Sequence, residues 1–188
     1  MSYTVDGRDT AGSGMTEVAS GFAADADRAA RSRDRRPSFY ADPVSWLVAQ
    51  SVRAALDACP EDLVGRADEV AVITVSDHCT LRTMREIAGQ VPTGRVSPLR
   101  FSGANPGSVG SLPGILLGFQ GPSLTLSMPP DTGLPVARAI AHGWLAERAA
   151  AYAVVSAHEV SREGRHEVRT TILRAVDPSA PYQEASYA

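Results

Sequence analysis

Residues 118–160 read GFQGPSLTLSMPPDTGLPVARAIAHGWLAERAAAYAVVSAHEV, and the succession of patterns in this stretch decides the architecture. Ser123 to Met128 (SLTLSM) is a short apolar run of the kind that makes a buried strand. From Asp131 to about Ala150, Leu134, Ala137, Ile140, Ala141, Trp144 and Leu145 recur at helical spacing and form one apolar face. Tyr152 to Ala157 (YAVVSA) is a second buried strand. A strand, a long amphipathic helix and another strand make a crossover unit, which calls for a parallel pair.

The same alternation continues on either side. Upstream, Asp42-Pro43 supplies an N-cap acceptor followed by a proline at the first helical position, and Val48, Val52, Ala55, Leu56 and Cys59 form an apolar face up to Pro60. Glu69 to Ser76 (EVAVITVS) predicts a strand and Thr80 to Ala88 a helix. Gly, Pro and Ser dominate residues 90–106, and a further helix is expected from Pro106 to Phe119 despite Pro113. Downstream, the turn SREGR leads to Glu167–Arg174 (EVRTTILR), whose alternation suits a strand with one wet face at a sheet edge. Residues 1–36 and 177–188 have the composition of disordered tails, with residues 37–176 between them as one domain. The expected fold class is α/β, layered, with a mostly parallel sheet and helices on its faces.

Composition bounds the function. The chain has 188 residues, 44% hydrophobic and 21% charged, with a formal net charge of −3, which gives no general attraction to nucleic acid or anionic membrane. No apolar run approaches the roughly 18 residues that span a bilayer, and no basic segment leads into an apolar one near the start, so a cytoplasmic protein is expected. All 18 basic residues are arginine, and those at Arg28, Arg31, Arg33, Arg35 and Arg36 form a cluster read as a solvated stretch, with docking on an acidic carrier protein as the alternative. Cys59 and Cys79 lack the spacing of a zinc site or redox pair and are expected as reduced thiols. No metal and no cofactor is expected.

Taken together, the segments resemble the N-terminal half of a ketosynthase of the thiolase type. In that family a helix ends in a Gly-x-x-Gly-Pro turn, which leads to a Thr-Val-Ser strand, an Ala-Cys-x-x-Gly elbow, a long helix, and a strand ending near paired glycines. Gly118, Gly121, Pro122, Thr125, Ser127 and Gly133 fall where that pattern puts them. SWLVAQSVRAALDAC (45–59) resembles the family's Ala-rich helix, ADEVAVITVSDHCTLRTM (67–84) its second core strand and following turn, and RVSPLRFSGANPGSVGSLPGILLGF (95–119) the segment before the nucleophile. The resemblance covers roughly residues 35–175.

It also implies a loss. Three residues after Ser127 and three before Gly133, the position of the family's nucleophilic cysteine holds Pro130. Proline removes the thiol and, with it, the backbone N–H that would help hold a thioester oxyanion; one such donor is typically worth about 10²–10³ in rate. The family's two catalytic histidines belong to its C-terminal half, and His142, His158 and His166 do not map onto them. The chain should not be a condensing ketosynthase. The resemblance further implies one half of a two-half subunit, without the usual first strand, leaving an apolar helical face for a partner, while the strand at Ser123–Met128 pairs across the family's dimer.

Other candidate groups have plain alternatives. Asp131 suits helix capping as well as acid–base work. Asp77-His78-Cys79 follows a strand end, where α/β folds place functional residues, yet it also makes a simple turn. His158 and Glu159 follow a strand but are too few for a metal site. His142 is expected at a rim, and Trp46 and Trp144 in packing.

Two functions remain open. One is a non-catalytic ketosynthase-like accessory protein of polyketide or related acyl-chain biosynthesis, pairing with itself, with a full-length ketosynthase as chain-length factors do, or with an acyl carrier protein. The alternative is a repurposed isomerase, cyclase or dehydratase acting on a carrier-bound chain, with His78, Asp131 and His158 as acid–base candidates.

Overall fold

The computed structural model describes residues 14–24 and 41–176. Its elements are β1 (Met15–Ala24), α1 (Pro43–Asp57), β2 (Val70–Val75), α2 (Leu81–Gln90), α3 (Pro98–Ala104), α4 (Ser108–Leu117), β3 (Ser123–Leu126), α5 (Pro130–Ala146), β4 (Tyr152–Val160) and β5 (His166–Ala175). The five strands form one sheet in the order β1-β5-β4-β2-β3. β2 runs parallel to both β3 and β4, whereas β5 is antiparallel to its neighbours β4 and β1. Four strands therefore point one way and β5 the other, so the sheet is mixed by a single strand.

Its two faces are covered unequally. Val70, Val154, Val168 and Ile172 pack under α1 and α4 through Val48, Val52, Ala55 and Val109. On the opposite face Ala71, Ile73, Val75, Ala153, Val155 and Leu173 pack against α5. The buried residues of α5 include Gly133, Ala137 and Ala141, spaced four apart, so a row of small side chains lets the helix lie close to the sheet. A Cβ on Gly133 would come within 2.4 Å of Val75 Cγ1. Leu134, Ile140 and Trp144 stay partly buried at the flanks, and Val136 is exposed.

The start of α1 is fixed by Asp42, which is fully buried. One carboxylate oxygen accepts the N–H of Val44 at 2.9 Å, and the other accepts the N–H and the hydroxyl of Thr83 at 2.9 and 2.7 Å. The N-cap expected from Asp42-Pro43 is thus also the tie between α1 and α2.

Four expectations need correction. Residues 15–24, placed in an N-terminal tail, form β1, and the first strand thought to be missing is present. Its inward residues are Met15, Ala19 and Ala23, and a register shift between Glu17 and Ala19 breaks the alternation. Gly21 is needed there because α1 lies so close that a Cβ would sit 2.3 Å from Ala55 N and 2.4 Å from Ser51 O. The serine itself bonds both strands, donating to Gly21 O and Val168 O at 3.2 Å. Second, β5 is not an edge, because β1 pairs with it along its length. Third, the Gly/Pro/Ser-rich stretch of residues 90–106 contains α3. Fourth, α5 begins at Pro130, one residue before Asp131. The remaining residues assigned to tails, 1–13, 25–36 and 177–188, with the Arg28–Arg36 cluster, lie outside the described residues.

Candidate functional site

The carboxyl ends of β2, β3 and β4 meet at one edge of the sheet. Val75 is in register with Leu126 on one side and Ala157 on the other, so Ser76, Ser127 and His158 emerge next to each other. The Ser76 N–H donates to Leu126 O at 3.0 Å, which carries the ladder one residue past the end of β2.

Ser76 organises this edge. Its Oγ accepts the N–H of Cys79 at 2.8 Å and lies 2.8 Å from His158 Nδ1. His158 is fully buried, and its other nitrogen, Nε2, is 2.9 Å from His166 Nδ1. The two imidazoles are nearly coplanar, at 8°. This contact follows from the β4–β5 hairpin: His158 faces Val168 and Val160 faces His166, which makes the histidines diagonal neighbours on one face. A chain of polar groups thus runs from buried Ser76 through His158 to half-buried His166.

His78 completes the group. Its ring centroid is 5.9 Å from that of His158 and 6.1 Å from that of His166, and its Nδ1 is 2.6 Å from Asp77 Oδ1. Partial burial alone would raise the Asp77 carboxyl, but the hydrogen bond and charge of His78 outweigh it and hold the group below its ordinary value. Cys79 adopts a left-handed φ of 42° and is buried, its thiol donating to Ser76 O at 3.0 Å and lying 3.4 Å from Ser127 Oγ. That thiol serves the turn, and both cysteines are free. A groove of about 510 Å³ opens over the cluster, lined by His78, Cys79 and His166 together with Arg82, Arg85 and Glu86 of α2. Among the described residues no group of three or more His, Cys, Asp or Glu side chains is placed to hold a metal ion.

The elbow between β3 and α5 has its own geometry. Pro130 is the first residue of α5 and is buried. The N–H groups of Thr132 and Gly133 donate to Pro129 O at 3.2 and 2.8 Å, and Thr132 N–H also donates to Asp131 Oδ1 at 2.8 Å. With proline at the first position and these two amides engaged, the turn has little left to offer an oxyanion. Asp131 is exposed, sits on the helix start as a first-turn carboxylate, and does not line the groove at His78.

Of the sequence candidates, the structure brings together His78, His158, Asp77 and Cys79 and adds Ser76 and His166, while Asp131 stays apart. Of these two, His166 carried a usable signal, because the short SREGR turn predicts a hairpin that folds it back toward His158; Ser76, legible only as the end of a strand, carried none. Glu159 and His142 are exposed, and Trp46 and Trp144 are partly buried. No helix among the described residues is long and apolar enough to cross a membrane.

No family model matches the chain, and no curated protein matches it. Solved structures do. The ishigamide ketosynthase/chain length factor superposes with a TM-score of 0.65 at 14% identity, over 80% of this chain and 48% of that one. A ketosynthase in complex with its chain length factor from Xenorhabdus doucetiae gives 0.56 at 15% identity, over 77% and 63%. A type II PKS acyl carrier protein in complex with its ketosynthase bound to the hexaketide gives 0.60 at 17%, over 78% and 49%. The chain therefore has a ketosynthase-like, thiolase-type fold. It spans about half the length of the first and third of these structures.

Proposed function

We propose that this chain is a non-catalytic ketosynthase-like accessory protein of polyketide or related acyl-chain biosynthesis, acting in the cytoplasm by binding a partner ketosynthase, an acyl carrier protein or a second copy of itself. The observation that carries this reading is the elbow: the strand, turn and helix are present, Pro130 stands where the resemblance places the thiol, and the first-turn amides of Thr132 and Gly133 are engaged internally. The similarity to ketosynthase–chain length factor complexes supports it, as does the sheet face that, among the described residues, only α5 covers. The solution mass of the purified chain, alone and mixed with a ketosynthase and acyl carrier protein of its pathway, tests it. A stable mixed complex or a defined homodimer is expected; a monomer that co-purifies with neither would overturn it.

A second reading is favoured by the histidine cluster: a repurposed isomerase, cyclase or dehydratase that moves protons on a carrier-bound chain. His78 and His158 would serve as acid–base groups, with Asp131 the weakest of the three candidates because it lies off the groove. Single Ala substitutions at His78 and His158 should abolish product formation in the reconstituted pathway while circular dichroism stays unchanged; full output from both variants would remove this reading.

A further inference from the structure

The groove above the strand ends carries positive charge that its own carboxylates do not match. Glu86 is shared between Arg82, at 3.4 Å, and Arg100, at 3.0 Å, and Asp77 is held by His78. Arg85 lines the same groove and makes no ion pair among the described residues. Its guanidinium offers a planar fork of donors suited to a carboxylate, sulfate or phosphate.

His78 adds a condition. The Asp77 carboxylate accepts from Nδ1, so in the neutral ring the proton resides on Nδ1 and Nε2 is an acceptor. Nε2 becomes a donor only when the ring is an imidazolium. An oxyanion bound between Arg85 and His78 therefore brings a proton with it.

We propose that this groove is a binding site for a small oxyanion-bearing ligand, anchored by the Arg85 guanidinium and by Nε2–H of a protonated His78, and that binding is coupled to proton uptake. The other ionisable groups around it are Asp77 and Cys79 on the β2–α2 turn, Arg82 and Glu86 on α2, His158 on β4 and His166 on β5. Affinity rises with acidification, because only the imidazolium form presents an Nε2–H donor to the ligand. The site is independent of the accessory reading, because the Pro130 elbow is not part of it.

Sulfate is the probe for a tetrahedral dianion and acetate the probe for a carboxylate, each titrated into the full chain against chloride at matched ionic strength. Imidazole resonances are followed by long-range proton–nitrogen NMR. The expected result is a saturable shift of His78 with one or both probes, weakened about tenfold by Arg85→Ala, the size of one lost charge-assisted hydrogen bond. His78→Gln should flatten the pH dependence, and Arg138→Ala on α5 should change nothing. A non-saturable response to both probes, or equal affinity in Arg85→Ala, overturns the site. Assembly with a ketosynthase, measured on the same Arg85→Ala protein, is expected to persist, so failure of one proposal is separable from failure of the other.

Discussion

At the residue scale, two positions carry more than their size suggests. Gly21 lets α1 touch the backbone of β1, and the two atoms a methyl group would meet, Ala55 N and Ser51 O, are both main chain and cannot rotate away. Gly21→Ala should cost about 1–3 kcal/mol, the usual range for overpacking, read as a lower urea midpoint with an unchanged slope. Asp42 holds three donors from within the protein. Asp42→Ala removes a helix cap worth about 1 kcal/mol and leaves the Thr83 donors unmatched, for a loss of about 2–4 kcal/mol in the same measurement. Asp42 was legible in the sequence as a cap because Pro43 follows it; its second role toward Thr83 was not, since nothing local links residues so far apart.

At the element scale, legibility followed side-chain character. β2, β3 and β4 and helices α1 and α5 stood out because Val, Ile and Leu recur at the spacing of each element. β1 did not, because its inward residues are largely alanine and its bulge breaks the alternation. Helix α3 is short, and its Pro98 and Gly103, in a stretch rich in Gly, Pro and Ser, speak for a loop. Part of the site was visible, since Asp77-His78-Cys79 follows the end of β2; His158 and Glu159, expected to follow a strand, lie inside β4 because the hairpin with β5 extends it to Val160, and the His158–His166 contact depends on that register. The far end of β4 carries a different network. Tyr152 donates to Glu61 and accepts from Arg66 at 2.9 Å, and Glu61 also pairs with Arg174 at 3.3 Å. Burial first, and then the hydrogen bond to Glu61, pushes the Tyr152 hydroxyl above its ordinary value. A raised acid is protonated in both states below about pH 10, so its contribution is complete there and is lost as pH rises through the folded value. Denaturation midpoints taken between about pH 8 and pH 11 should fall more steeply for the wild type than for Tyr152→Phe. Asp77 has the opposite sign. Its lowered value gives a contribution that is present above about pH 3.9 and lost on further acidification, so Asp77→Asn should flatten the acid limb of the same profile.

At the scale of the whole molecule, β1 pairs along β5 and takes its place as the edge strand, so β5 is hydrogen-bonded on both sides. A chain starting at residue 37, the boundary that composition suggests, would expose the length of β5 and uncover the inner surface of α1. That truncation should be protease-sensitive and prone to association, whereas the full chain gives a single cooperative transition; limited proteolysis and thermal denaturation compare them. The opposite edge is the four-residue β3, and the sheet face packed on α5 has no other cover among the described residues. Partner contact is thus expected at the β3 and α5 side, and a complex with a ketosynthase should slow amide hydrogen exchange there and leave β1 unchanged.

The place of β1 also has a consequence for biosynthesis. Its partner β5 lies roughly 150 residues later in the chain, with Phe22 opposite Arg169, so β1 is made before the other described strands and must wait for the last of them to find its neighbour. At translation rates of about 5–20 residues per second it waits roughly 7–30 s. During that interval Met15, Val18 and Phe22 must be kept from other chains, and a nascent polypeptide stalled before β5 would hold a strand with nowhere to go.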